Sequence, residues 1–296
     1  MNDMSSIKPP SASSTIELPT TSGRLIPSSL SQVGTITKYE MVNYFRSRRF
    51  FILLTIDLII SALVTGLVGY YGLSSVGVVT SLQFYSFRWG TLINFVTILA
   101  GIFFGGDAIS GEFQNKTGYF LVAHPLRRSS IYIGKWLAAF TASLMTFAVF
   151  AVIALANGIY YFGTDVPFQF VESILFGVLY LMAVLGLTFL FSSLFKSSAM
   201  AITVTAILFL FVFSILETIL NGLIGVEPWF VVTYGAGIIG NVLMDPYPTN
   251  QAVRGIGGRE RTLFAVSIPA GVAILVGYFV VSAILGLIVF ERREFT

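Results

Sequence analysis

The sequence predicts an all-α polytopic membrane protein, and three observations carry that reading. Hydrophobic residues make up 55% of the 296 residues and charged residues only 10%, with a mean hydropathy of +0.86. A soluble domain carries about 25% charged residues, so a soluble fold of this size would lack the polar side chains to cover its surface. The apolar residues gather in six runs, each near the ~20 residues that a helix needs to cross a bilayer. The basic residues fall unevenly between the segments that join those runs. The expected fold is six transmembrane helices, an amphipathic helix before them, a short cytoplasmic helix between spans two and three, and membrane-dipping external helices between spans five and six.

Residues 1–32 are rich in Ser, Thr and Pro, contain no apolar signal-peptide core and read as a polar, largely disordered tail. Residues 33–296 read as one transmembrane domain. It opens with "GTITKYEMVNYFRSRRF". On a helix Met41, Val42 and Phe45 share one side, Glu40, Asn43 and Ser47 lie opposite, and Arg46, Arg48 and Arg49 crowd the end. That pattern suits an interfacial helix, apolar residues in the lipid boundary and arginines at head-group level. The predicted spans are 50–72, 90–109, 133–162, 173–195, 199–225 and 264–290. The third is overlong and projects from the bilayer, and the fourth and fifth form a tight hairpin. Between the fifth and sixth, residues 226–263 are too apolar for a solvated loop and too broken for a span. Trp229, Phe230, Tyr234 and Tyr247 there are expected in the aromatic belt.

Six spans put both termini on one side. That side carries Lys8, Arg24, Lys38, Arg46, Arg48, Arg49, Lys116, Arg127, Arg128, Lys135, Lys196, Arg292 and Arg293, thirteen in all. The other carries Arg88, Arg254, Arg259 and Arg261. By the positive-inside rule both termini are cytoplasmic, in a plasma membrane.

Several chemistries are excluded or weak. With no Cys and a single His, thiolate or histidine-cluster metal sites and a Ser-His triad have no residues to use. "GAGIIG" (Gly235 to Gly240) fits a dinucleotide fingerprint but lacks the strand before it that such a site requires, so close helix packing explains it better. "GDAISGEF" spaces two glycines like a phosphate loop but has Glu112 where the lysine is needed. The chain has no such loop elsewhere, so any ATP, with its Mg, must act on a separate subunit. Two acids fall inside spans, Asp57 and Glu217. Buried acids are costly and are functional candidates by default. Here the better expectation is that Asp57 bonds a neighbouring hydroxyl or backbone group and that Glu217 reaches interfacial water.

One stretch remains, "GEFQNKTGYFLVAHPLRRSSIYIGK" (Gly111 to Lys135). It predicts a short cytoplasmic helix capped by Asn115 and ended by Pro125, with Tyr119, Phe120 and Leu121 exposed. Its order of Glu112-Phe113, Lys116-Thr117, Leu121-Val122, Pro125, Arg128 and Gly134-Lys135 resembles the membrane permease subunits of ABC-2 type ABC transporters, with Lys116 where the family usually has glycine. "TKYEMVNYFRSRRFF" is similar to that family's connecting helix and "VFERREF" to its C-terminal end. The resemblance covers about 34–296 and implies a transport subunit without its own ATP site. It implies two cytoplasmic ABC ATPase copies as partners, with ATP and Mg on them, and a second permease chain, identical or related. It implies that the segment near 112–125 is a coupling helix, with Tyr119, Phe120 and Leu121 docking on the ATPase. On this reading Glu112 ties that helix to Arg46, Arg48 or Arg49 of the connecting helix, and the complex exports its cargo. The alternative is a non-transporting scaffold or sensor that anchors an ATPase. No feature points to nucleic acid.

Overall fold

A computed structural model of the chain describes residues 28–73, 75, 77–90, 92–115, 127–254 and 260–293. Six helices are long and apolar enough to cross a membrane: Arg48–Tyr71, Ser81–Gln114, Arg128–Phe162, Phe168–Leu194, Ser198–Ile224 and Ile268–Arg292. The N-terminal helix, Ser29–Arg46, precedes them. Ser47 separates it from the first span: its backbone is extended (φ −78°, ψ 142°) and its hydroxyl accepts from the Phe50 amide, so the span starts with its own cap.

The second span begins nine residues before the predicted 90. Thr80 and Gln83 form a reciprocal capping box, each side chain accepting from the other residue's backbone N–H, which starts the helix at Ser81. The span then passes through a π-helical stretch, Ser86–Gly90. The third span runs 35 residues, about 52 Å at 1.5 Å per residue, well beyond a hydrocarbon core of about 30 Å. Three residues, 195–197, turn the fourth span into the fifth. The fifth is interrupted by π-helical stretches at Leu208–Val212 and Thr218–Ile224.

Lipid tails are as apolar as leucine, so helices in a bilayer associate through close packing rather than hydrophobic burial. Gly101 and Gly105 let the second span approach the fourth closely. A Cβ at Gly105 would lie 2.9 Å from the Thr188 methyl. Two buried layers result. One holds Leu53, Phe104, Ile131, Leu185 and Phe290, nearer the N-terminal helix. The other holds Trp89, Phe150, Phe170, Tyr180 and Ile239. The Trp89 indole donates to Ser173 Oγ (2.9 Å), which donates to the Ile239 carbonyl (2.6 Å), so one serine joins two spans to the connection after the fifth.

That connection contains two short helices, Val232–Ala236 and Ile238–Asn241, packed in the second layer, as expected of segments dipping under protein cover. Gly235 of the fingerprint-like run faces Ile274 of the sixth span, which is the packing role anticipated for it. The belt expectation divides. Trp229 and Phe230 are exposed, but Tyr234 is buried and donates to Glu227 (2.8 Å). An antiparallel hairpin of β1 (Gln251–Arg254) and β2 (Glu260–Leu263) follows, an element not expected from the sequence.

Candidate functional site: the polar junction at the basic face

The N-terminal helix, the end of the second span and the foot of the third meet on the face that carries Lys38, Arg46, Arg48 and Arg49. The helix lies along the third span because Gly134 leaves room. A Cβ there would stand 2.8 Å from Ile36. Thr37 Oγ1 donates to the Gly134 carbonyl (3.2 Å), and the Arg127 amide donates to Gln32 Oε1 (3.2 Å).

The next residue of the third span after Gly134, Lys135, carries the junction. It is buried, and its Nζ reaches Glu40 Oε1 at 2.5 Å and Glu112 Oε1 at 2.7 Å. A buried ammonium is tolerated only when paired, and here two carboxylates from two elements share it. Glu40 belongs to the N-terminal helix, Glu112 to the end of the second span, and Lys135 to the third. Beside them Arg49 pairs with Asp107. The Tyr44 hydroxyl donates to the Phe104 carbonyl (2.8 Å). Burial, then the nearby Asp107 and Glu40 carboxylates, hold its phenol well above the usual tyrosine range, so it stays a donor. Glu40, Asn43, Tyr44, Ser47, Arg49 and Lys135 are among the residues enclosing a cavity of about 350 Å³.

This geometry corrects one expectation. The acid expected to bind Arg46, Arg48 or Arg49 was Glu112; Arg49 instead takes Asp107, and Glu112 is held by Lys135. Lys135 reaches Glu112 from the helix alongside, whereas Arg49 enters at the level of Asp107, five residues earlier. Arg128 donates to the carbonyls of Glu291 (2.7 Å) and Arg293 (2.8 Å) and so caps the end of the sixth span. Arg293 in turn donates to the Ser193 carbonyl (2.5 Å) and lies 4.2 Å over the Phe113 ring. Lys116, Thr117, Tyr119, Phe120, Leu121 and Pro125 lie outside the described residues.

The arrangement of the N-terminal helix matches its sequence pattern. Glu40, Asn43 and Ser47 face the polar cavity, while Met41, Val42 and Phe45 line an apolar groove on the other side. Inside the membrane the picture differs from expectation. Asp57 is 2% exposed and takes no hydrogen bond from any described residue. Its neighbour is Arg88, expected in an external loop but 1% exposed within the second span and donating to the Ser61 carbonyl (3.1 Å), one turn from Asp57. Arg88 and Asp57 lie within electrostatic range without a direct bond. Glu217 is half-buried and accepts from Thr233 Oγ1 (2.7 Å), not water alone, which ties the fifth span to the connection after it.

Sequence reasoning missed Arg88 because the second span was started too late, although the capping box at Thr80 and Gln83 was readable. No curated protein matches the chain. A family model described as ABC-2 family transporter protein matches residues 34–295. Six membrane-length helices, the polar junction at the foot of the third, and a match over nearly the whole chain agree: the protein is a multi-pass membrane protein of the ABC-2 transporter family.

Proposed function

We propose that this chain is the permease subunit of an ABC exporter, driven by a separate cytoplasmic ATPase that docks on the 116–126 segment. The observation that carries the reading is Lys135, bound at once to Glu40 and Glu112. The docking segment is tethered at both ends to this junction: Glu112 and Phe113 precede it, and Arg127, Arg128 and Lys135 follow it. A push on the segment therefore reaches the second and third spans directly, and through Glu40 it reaches the N-terminal helix and the first span. Charged side chains transmit such a load well because breaking a buried pair is costly.

ATP and Mg would act on the partner, as the sequence carries no phosphate loop. The first, fifth and sixth spans leave most of their apolar residues uncovered (22%, 17% and 17% buried, against 67% for the second), which suits pairing with a second permease chain around a shared path. The basic face would lie in the cytoplasm and both termini with it.

The test is reconstitution with the ATPase in proteoliposomes. Wild type should show ATP-dependent flux, and Glu112→Lys, which sets a second cation against Lys135, should keep ATP hydrolysis while abolishing flux. Full coupling in that variant overturns the junction's role. ATPase binding without flux in the wild type favours the scaffold reading.

A further inference from the structure

The other side of the N-terminal helix carries a feature that coupling does not use. Leu30, Val33, Met41, Val42 and Phe45 line an open groove of about 510 Å³, closed on one side by Leu137 of the third span. Its lining is apolar apart from Thr37 and Lys38. Leu30 and Val42 are exposed within the chain.

Two observations say what covers it. The first is depth. The third span has about 15 residues more than the ~20 that cross the hydrocarbon. If its far end, Phe162, sits at the opposite interface, the core ends near residue 142, and Leu137 stands at head-group level. The groove thus opens where acyl chains meet phosphates. The second is charge. The acids of this junction are already taken, Asp107 by Arg49 and both Glu40 and Glu112 by Lys135. Among the described residues no carboxylate pairs with Lys38, Arg46 or Arg48, and all three are exposed. Lys38, Val42 and Arg46 follow one another at i, i+4 and i+8, so the two cations stand about 12 Å apart along the groove's edge.

We propose that this groove binds an anionic phospholipid, its acyl chain against Val33, Met41 and Phe45 and its phosphate between Lys38 and Arg46. The site rests on the membrane placement of the chain and not on the coupling role of Lys135, so the two can fail separately.

The test uses the full-length chain released from bilayers of phosphatidylcholine with a minority of phosphatidylglycerol, with retained lipids counted by native mass spectrometry. Wild type should retain phosphatidylglycerol in excess of its share. Lys38→Gln with Arg46→Gln should weaken that retention roughly 30-fold, taking the usual contribution of a basic residue near an anionic surface. Gly34→Phe changes no charge. Gly34 lines the groove with nothing within 4 Å of a Cβ built there, so the ring should fill it and also displace the lipid. Melting temperatures in pure phosphatidylcholine should match wild type for both variants, which shows that they fold. Retention unchanged in either variant overturns the proposal; loss in the charge variant alone means diffuse surface attraction without a groove. Competition by inorganic phosphate equal to that by the lipid also overturns it. So does efficient disulfide formation between chains carrying Val42→Cys in this cysteine-free protein, which would make a second copy the occupant.

Discussion

Lys135 has two acids and almost no water, and that ratio decides what its loss does. Lys135→Met leaves Glu40 and Glu112 facing each other without a counter-charge, a cost of about 3 kcal/mol, the low end for breaking a buried pair because each acid keeps some solvent. A marked fall in melting temperature should follow, and adding Glu40→Gln and Glu112→Gln should recover most of it; a triple variant no better than the single would mean that packing of the lysine stem, not charge, matters. Asp57 and Arg88 pose a different question. Each is buried with polar atoms unbonded, and a charged pair in range should be coupled even without contact. A double-mutant cycle with Asp57→Asn and Arg88→Gln, read by thermal unfolding, should give a coupling of about 1–2 kcal/mol. Strict additivity would mean that the two groups do not sense each other.

Elements meet where side chains are smallest. Gly134→Val puts a branched side chain where Ile36 already lies, and such overpacking costs about 1–3 kcal/mol. The expected result is a detached N-terminal helix, seen as faster amide exchange over 29–46 with the six spans still protected. Exchange unchanged there would place the attachment elsewhere, in the Lys135 pair. The elements were largely legible in the sequence because a span is a composition signal and a cap is a local one. The tight turn at 195–197, the two-faced pattern of the N-terminal helix and five of the six apolar runs could be read to within about five residues, while the second span starts nine residues before its expected start. What could not be read were choices among partners. Glu112 had four basic residues within plausible reach, and only the lateral position of the third span selects Lys135. Arg88 looked external because one arginine among Phe84, Tyr85, Phe87 and Trp89 was weighed as a loop charge rather than as a helix interior. The hairpin β1–β2 left no alternating pattern to find, since its strands have only four residues each.

At the scale of the molecule, most of the described basic residues sort to one face, and that asymmetry predicts topology. Because the chain has no cysteine, single cysteines at Lys196 and Arg261 should label with a membrane-impermeant thiol reagent from opposite sides in intact cells, Arg261 from outside. Labelling of both from one side would contradict the six-span arrangement. The uncovered first, fifth and sixth spans carry the same message about size: one chain leaves a broad apolar surface that lipid or a second chain must meet. Ser47 gives this architecture a mechanical character. It is the single extended residue between an 18-residue helix and a 24-residue span, two nearly rigid arms about 27 Å and 36 Å long. The far end of the shorter arm touches Arg127, the first described residue after Asn115. A swing of about ten degrees about Ser47 carries that end about 5 Å, the length of one helical turn. On the proposed coupling the N-terminal helix would work as a crank, with its pivot at Ser47 and its handle at the Gln32–Arg127 contact.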